Sequence, residues 1–161
     1  MGVMLDPLQL SDRLSAREFI SMIGELRRFD DDVVDARSNE IFDILEIGDD
    51  TDRPIAGYSH GMRKKTALIA ALIHRPRLVL LDEPFAGVDP ISVLGIQRII
   101  RYLSERDIGV LITDHNVREA LNICDRAYIV NEGQIICEGE PAAISNDQRV
   151  REVYLGHEFQ L

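Results

Sequence analysis

The chain is predicted to be an α/β protein in which a helical block precedes a parallel sheet, and three observations predict it. Apolar runs at Leu78-Val79-Leu80-Leu81, Val110-Leu111-Ile112-Thr113 and Ala127-Tyr128-Ile129-Val130 have strand length and are separated by helical patterns. Amphipathic helical patterns fill most of the chain before Pro76. The first apolar run ends in two adjacent carboxylates, Asp82 and Glu83, followed by Pro84. Strands alternating with helices imply a parallel sheet. Paired charges at the end of a buried run are tolerated where the strand emerges into a site, although for that segment alone an acidic turn is the commoner explanation.

The elements follow in order. Residues 2–5 read as a short extended start, and Ser15 with Glu18 forms a capping box before Phe19, Ile20, Met22, Ile23 and Leu26 at helical spacing. Val33, Val34, Ile41, Ile44 and Leu45 indicate a second helix with an acidic, solvated outer face. Ser59 is placed to cap a third helix, whose buried side holds Met62, Leu68, Ile69 and Leu72 and which ends before Pro76. Asp89-Pro90 is an N-cap with proline at the first helical position. Asn116 and Glu119 begin a further helix, and Asn131-Glu132-Gly133-Gln134 turns one strand into Ile135-Ile136-Cys137 as a hairpin.

Composition narrows the partners. Acidic residues outnumber basic ones by 28 to 18, a net charge of −10, which argues against nucleic acid and gives no polybasic membrane patch. No apolar run approaches the ~20 residues of a membrane span, and the start lacks a signal-peptide pattern, so a cytoplasmic protein is expected. Cys124 and Cys137 fall on apolar positions and read as core residues, not as a disulfide or metal pair.

Four segments then stand in one order: Tyr58-Ser59-His60-Gly61-Met62 at a helix start, Asp82-Glu83 at a strand end, Gly87-Val88-Asp89 just after it, and Asp114-His115 after the next strand. Together they resemble the signature segment, Walker B motif, D-loop and switch histidine of the ATP-binding cassette (ABC) ATPases of transporters. The resemblance implies an incomplete P-loop NTPase (RecA-like) parallel sheet with a helical ABC-specific subdomain. Residues 1–75 would hold a Q-loop remnant and the helical subdomain, and residues 76–161 the RecA-like part and tail. It implies ATP and Mg²⁺ as cofactors, with Asp82 holding the metal, Glu83 orienting or deprotonating the attacking water, and His115 sensing the γ-phosphate. Ser59 and Gly61 at a helix N-terminus would meet the nucleotide of an opposing subunit, although Ser59 alone reads as an ordinary cap. Asp89 would lie along the dimer interface, and Asp6 with nearby Gln9 occupies the Q-loop position.

The implied partners are transmembrane permease subunits and a second cassette, as homo- or heterodimer. Membrane contact would run only through the permease, placing the protein on the inner face of the cytoplasmic membrane. From Leu80 to Leu161 the sequence is similar to lipopolysaccharide-export cassettes, including the ending Tyr154-Leu155-Gly156 with Phe159 and Leu161. Before Leu80, Tyr58-Ser59-His60-Gly61-Met62-Arg63-Lys64-Lys65 is closer to ABC-2 exporter cassettes. Recombination and natural divergence both account for the mixture.

One family element is missing from these residues. The phosphate-binding loop Gly-x-x-x-x-Gly-Lys-Ser/Thr needs a lysine after glycine, and the only lysines, Lys64 and Lys65, do not follow one. The chain is thus expected to start at the Q-loop, without the strand that carries the loop. Unpaired strand edges and an aggregation-prone monomer are expected as a result. Two functions remain open: an ATPase subunit driving export, or a non-catalytic cassette contributing Ser59, Gly61 and Asp89 in trans.

Overall fold

The computed structural model describes residues 1–6 and 8–152, so the similarity noted at Tyr154, Leu155, Gly156, Phe159 and Leu161 lies outside the described residues. The chain divides into two compact units, Met1–Asp114 and His115–Leu161.

The first unit is built on a parallel sheet of β1 (Gly2–Met4), β2 (Leu78–Asp82) and β3 (Gly109–Thr113), in the order β1-β2-β3. Gly2 stands beside Val79 and Val79 beside Val110; at the far end Asp82 stands beside Thr113. The β1–β2 crossover holds α1 (Ala16–Leu26), α2 (Asp31–Leu45) and α3 (His60–Leu72), and α4 (Pro90–Ser104) joins β2 to β3.

Local chemistry sets the helix starts where the sequence places them. Ser15 and Glu18 make both halves of the capping box, Ser59 Oγ accepts from the Met62 amide, and Asp89 caps α4 with Pro90 behind it. Close approaches explain two glycines. A Cβ on Gly2 would lie 2.2 Å from the Ala71 carbonyl oxygen, where β1 meets α3, and one on Gly24 would lie 2.4 Å from Val34 Cγ2, where α1 meets α2.

The core lies between one face of this sheet and the helices: Val79 and Leu81 of β2 are buried, as are Leu68 and Ile69 of α3 and Ile96 and Ile99 of α4. The Leu78-Val79-Leu80-Leu81 run, which reads as a strand buried on both faces, buries only alternate residues. Val3, Leu78 and Leu111 on the other face are exposed. β1 and β3 each pair with β2 on one side only among the described residues.

The second unit holds α5 (Val117–Leu121), an antiparallel hairpin of β4 (Ala127–Asn131) and β5 (Gln134–Gly139), α6 (Pro141–Asn146) and the single turn α7 (Gln148–Val150). Positive φ at Glu132 (50°) and Gly133 (76°) gives the turn the backbone twist that tight hairpins require. Its core is Leu121, Ile129, Ile144 and Val150, with the free thiols of Cys124 and Cys137 packed against it. Both thiols are only partly buried, and burial pushes each above the usual range. No helix among the described residues is long and apolar enough to cross a membrane.

Candidate functional site

Parallel strands carry their ligands at the carboxyl ends, and Asp82 is the last residue of β2. The strand register brings Thr113 alongside, and its hydroxyl donates to Asp82 Oδ1 at 2.7 Å. A half-buried carboxylate with one oxygen held in this way presents the hard oxygen donor that magnesium takes, so the residues present fit the ion.

Glu83 leaves the strand abruptly. Its amide donates to the Thr113 carbonyl at 2.7 Å, and its φ of 51° is left-handed, a conformation costing a non-glycine residue about 1–3 kcal/mol. Neighbouring groups over-determine that bend. The Lys64 ammonium donates to the Glu83 carbonyl, the Ala86 amide donates to the same oxygen at 3.2 Å, and the Phe85 amide donates to Asp114 Oδ2 at 2.8 Å. The turn is therefore clamped from α3 and from the end of β3.

Lys64 is 0% exposed and lies 3.9 Å from Asp6 Oδ1. Burial pushes its ammonium below the usual lysine range, while the charges of Asp6, Asp114, Glu83 and Asp82 act the other way. One buried cation thus links Asp6 to the Glu83 main chain. Lys65, its neighbour, donates instead to the Leu45 carbonyl at 2.8 Å and ties α3 to the end of α2.

A second set meets at the start of α3. A Cβ on Gly61 would lie 2.4 Å from Ser92 Oγ and 3.0 Å from Asp89 Oδ2, so the glycine lets α3 press against the start of α4. Asp89 Oδ1 accepts from the Ser92 amide at 2.9 Å, and bonds from Ser92 hold the Asp89 carboxyl below its usual range. Gly87, at φ 66°, lies beneath the His60 ring. Ser59 is exposed beside them, with its hydroxyl used as a cap.

The remaining expected residues have other settings. Gln9 is exposed and lines a groove of about 300 Å³ between the N-terminal segment, α1 and α3, beside Leu8, Phe19 and Ala70. His115 is the exposed first residue of the second unit, and its carbonyl accepts from the Val117 amide at 3.0 Å.

Three residues hold the Asp82–Glu83 turn without the sequence assigning them that part: Lys64, Thr113 and Asp114. The signal for Lys64 is its helical spacing from Gly61, Leu68 and Leu72, which puts it on the buried stripe of α3. Thr113 follows from strand register, which one sequence does not reveal. Asp114 reaches the Phe85 amide across 29 residues, a pairing with no local signature.

Comparison with known proteins gives concordant relatives. A family model described as "AAA domain, putative AbiEii toxin, Type IV TA system" matches residues 8–137, and one for the branched-chain amino acid ATP-binding cassette transporter matches residues 134–160. The lipopolysaccharide export system ATP-binding protein LptB of Escherichia coli K12 is 44% identical over 154 residues, covering 96% of this chain and 58% of LptB. LptB of Acidithiobacillus ferridurans is 58% identical over 103 residues, covering 64% of this chain and 43% of that protein. The chain thus spans somewhat over half the length of the first relative. Among solved structures, an ATP-binding cassette of an ABC transporter in its ADP conformation superposes with a TM-score of 0.79 at 26% identity, over 97% of this chain and 69% of that one. The cbiO1 subunit from Clostridium perfringens gives 0.78 at 25% identity, over 97% and 63%.

Proposed function

The chain belongs to the ATP-binding cassette ATPases of transporters, and on that premise we propose that it serves as a nucleotide-binding subunit coupling ATP hydrolysis to export, of lipopolysaccharide or a related lipid. The observation that carries the ATPase reading is the clamped pair at the end of β2: Asp82 held by Thr113, and Glu83 held in a left-handed turn by Lys64. The export reading rests on the 44% identity to LptB across nearly the whole chain.

In this reading Asp82 holds magnesium, which supplies charge neutralisation on the phosphates when bound. Glu83 orients the attacking water and takes its proton, and the turn fixes the direction of that carboxylate before substrate arrives. Ser59 and Gly61 present the amide end of α3 to a nucleotide on a second cassette, with Asp89 alongside at the interface, and Asp6 and Gln9 serve as the Q-loop. His115 contacts the γ-phosphate. The apolar groove that includes Gln9 receives a transmembrane permease subunit, through which alone the protein meets the inner face of the cytoplasmic membrane.

A second reading concerns the residues of this sequence taken alone. The phosphate-binding loop requires a lysine after glycine, and here both lysines are buried on α3, bonded to the carbonyls of Glu83 and Leu45. The chain would then hold no nucleotide of its own and lend Ser59, Gly61 and Asp89 to another cassette. Titration of the purified chain with magnesium-ATP separates the two. An ATPase binds nucleotide, and Glu83→Gln lowers turnover about 10²–10⁴-fold while leaving binding intact. Absence of binding by either form supports the non-catalytic reading.

A further inference from the structure

A cavity of about 370 Å³ opens in the first unit between α2, the end of α3 and α4, within the roughly 300–1,000 Å³ typical of small-molecule sites. Its floor is apolar and buried, formed by Ile41, Leu72, Ile99 and Leu103. Its wall is basic: Arg37, Arg75 and Arg106 line it, with Glu40 as the lining carboxylate. This local sign is the reverse of the chain's net charge of −10.

The arginines are not engaged as a surface ion-pair network would engage them. Among the described residues none of the three pairs with a carboxylate. Arg37 donates to the Ile73 carbonyl at 2.9 Å and lies over the Phe29 ring. Arg106 stacks 3.5 Å from the centre of the Tyr102 ring and donates to the Tyr102 carbonyl. The Arg75 guanidinium has no hydrogen bond or ion pair among the described residues, and its backbone is left-handed, with φ of 50°. Glu40 accepts from the Tyr102 hydroxyl.

We propose that this cavity binds a small soluble phosphate monoester carrying a short apolar body. Three guanidinium charges less that of Glu40 leave two positive charges, which match the dianion of a monoester. Arginine forks bind phosphate oxygens in pairs, and the apolar floor takes the substituent. The volume admits a short chain or single ring and excludes a long lipid tail. The site stands apart from the nucleotide reading, since it uses none of the residues assigned to ATP.

Isothermal titration of the full chain with hexyl phosphate tests it, with hexanol and inorganic phosphate as separate titrants. Hexyl phosphate is expected to bind one-to-one and at least about tenfold more tightly than either, because each lacks half of the recognition. Arg75→Gln and Arg106→Gln should each weaken binding about tenfold, or ~1.4 kcal/mol. Arg53→Gln, which removes the same charge from a surface pair with Asp50, should leave it unchanged. In a methyl NMR spectrum the ligand should shift Ile99 and Leu103. Equal affinity for hexanol, unaltered binding by the Arg75→Gln/Arg106→Gln double variant, shifts confined to other methyls, or no heat of binding each overturns the proposal.

Discussion

The sheet of the first unit and the hairpin of the second have strands of similar length, five residues in β2, β3 and β4 and six in β5. They bury very different amounts of surface. β2 buries Val79 and Leu81, at 0% and 1% exposed, and leaves Leu78 at 41%, whereas the hairpin buries Ile129 alone, at 7%, and leaves Tyr128, Val130 and Ile135 at 49%, 56% and 60%. The hairpin leans on a cluster of four buried residues, whereas the sheet around β2 is packed by α3 against β1 and by α4 against β3. Stability in a domain follows burial and varies from region to region. Asp82 and Glu83 thus project from the best-packed strand, which suits a site that must hold charge in a fixed direction.

The largest test of this contrast is a truncation in each region. Leu81→Ala removes a fully buried side chain and is expected to cost about 2–5 kcal/mol, whereas Val130→Thr on the exposed face of the hairpin should change stability by no more than about 0.5 kcal/mol. Denaturant midpoints measure both, and amide exchange locates them: protection in β1, β2 and β3 should fall in the first variant while β4 and β5 keep theirs. Equal costs at the two positions would break the comparison.

An intermediate effect is expected where the first unit packs tightest. Gly61→Ala places a Cβ 2.4 Å from Ser92 Oγ and 2.6 Å from Ser92 Cβ, so α3 and α4 must separate, at about 1–3 kcal/mol. Because the clash is with both atoms, Ser92→Gly in the same chain should restore most of that loss and Ser92→Ala little of it. A double-mutant cycle reads the difference. Additive effects of Gly61→Ala and Ser92→Gly would mean that the close approach of the helices is not what the glycine serves.

These contrasts also mark what a sequence can disclose. The starts of α1, α3 and α4 were legible because Ser15, Ser59 and Asp89 act within three residues of themselves. The hairpin was legible because Gly133 sits in its turn, and the carboxylate pair because charges seldom end an apolar run. The one-sided burial of β2 was not legible, since Leu78 and Leu80 look like core until it is known which face the helices cover. The burial of Lys64 shows in sequence only as helical spacing in line with Gly61, Leu68 and Leu72, against lysine's usual place at the surface, and what makes a buried ammonium tolerable was hidden: tertiary carbonyls, Glu83 for Lys64 and Leu45 for Lys65. The clamp on Glu83 was hidden for the same reason, because Asp114 and Thr113 come to it through strand pairing.

The smallest expected effect concerns how β1 is tethered to the first unit. His74, just past α3, donates from Nε2 to the Met1 carbonyl at 2.9 Å, and its Nδ1 is buried with no partner among the described residues. Protonation would put an N–H on Nδ1 with nothing to receive it. Burial accordingly pushes the imidazole below its ordinary value of 6.5, with Arg27 and the terminal amine adding to the shift and the Met1 bond opposing it. A group that binds its proton less readily when folded loses stability on acidification: its contribution is intact above the unfolded value of about 6.5 and disappears as pH falls through the lower folded one. Between about pH 7.5 and 5.5, above most carboxylate titrations, the first unit's denaturant midpoint should therefore decline in the parent chain and decline less in His74→Gln. The hairpin holds no histidine, so its amide protection should not follow that change. Parallel pH profiles for the parent and His74→Gln would show that the Met1 tether does not depend on a neutral ring.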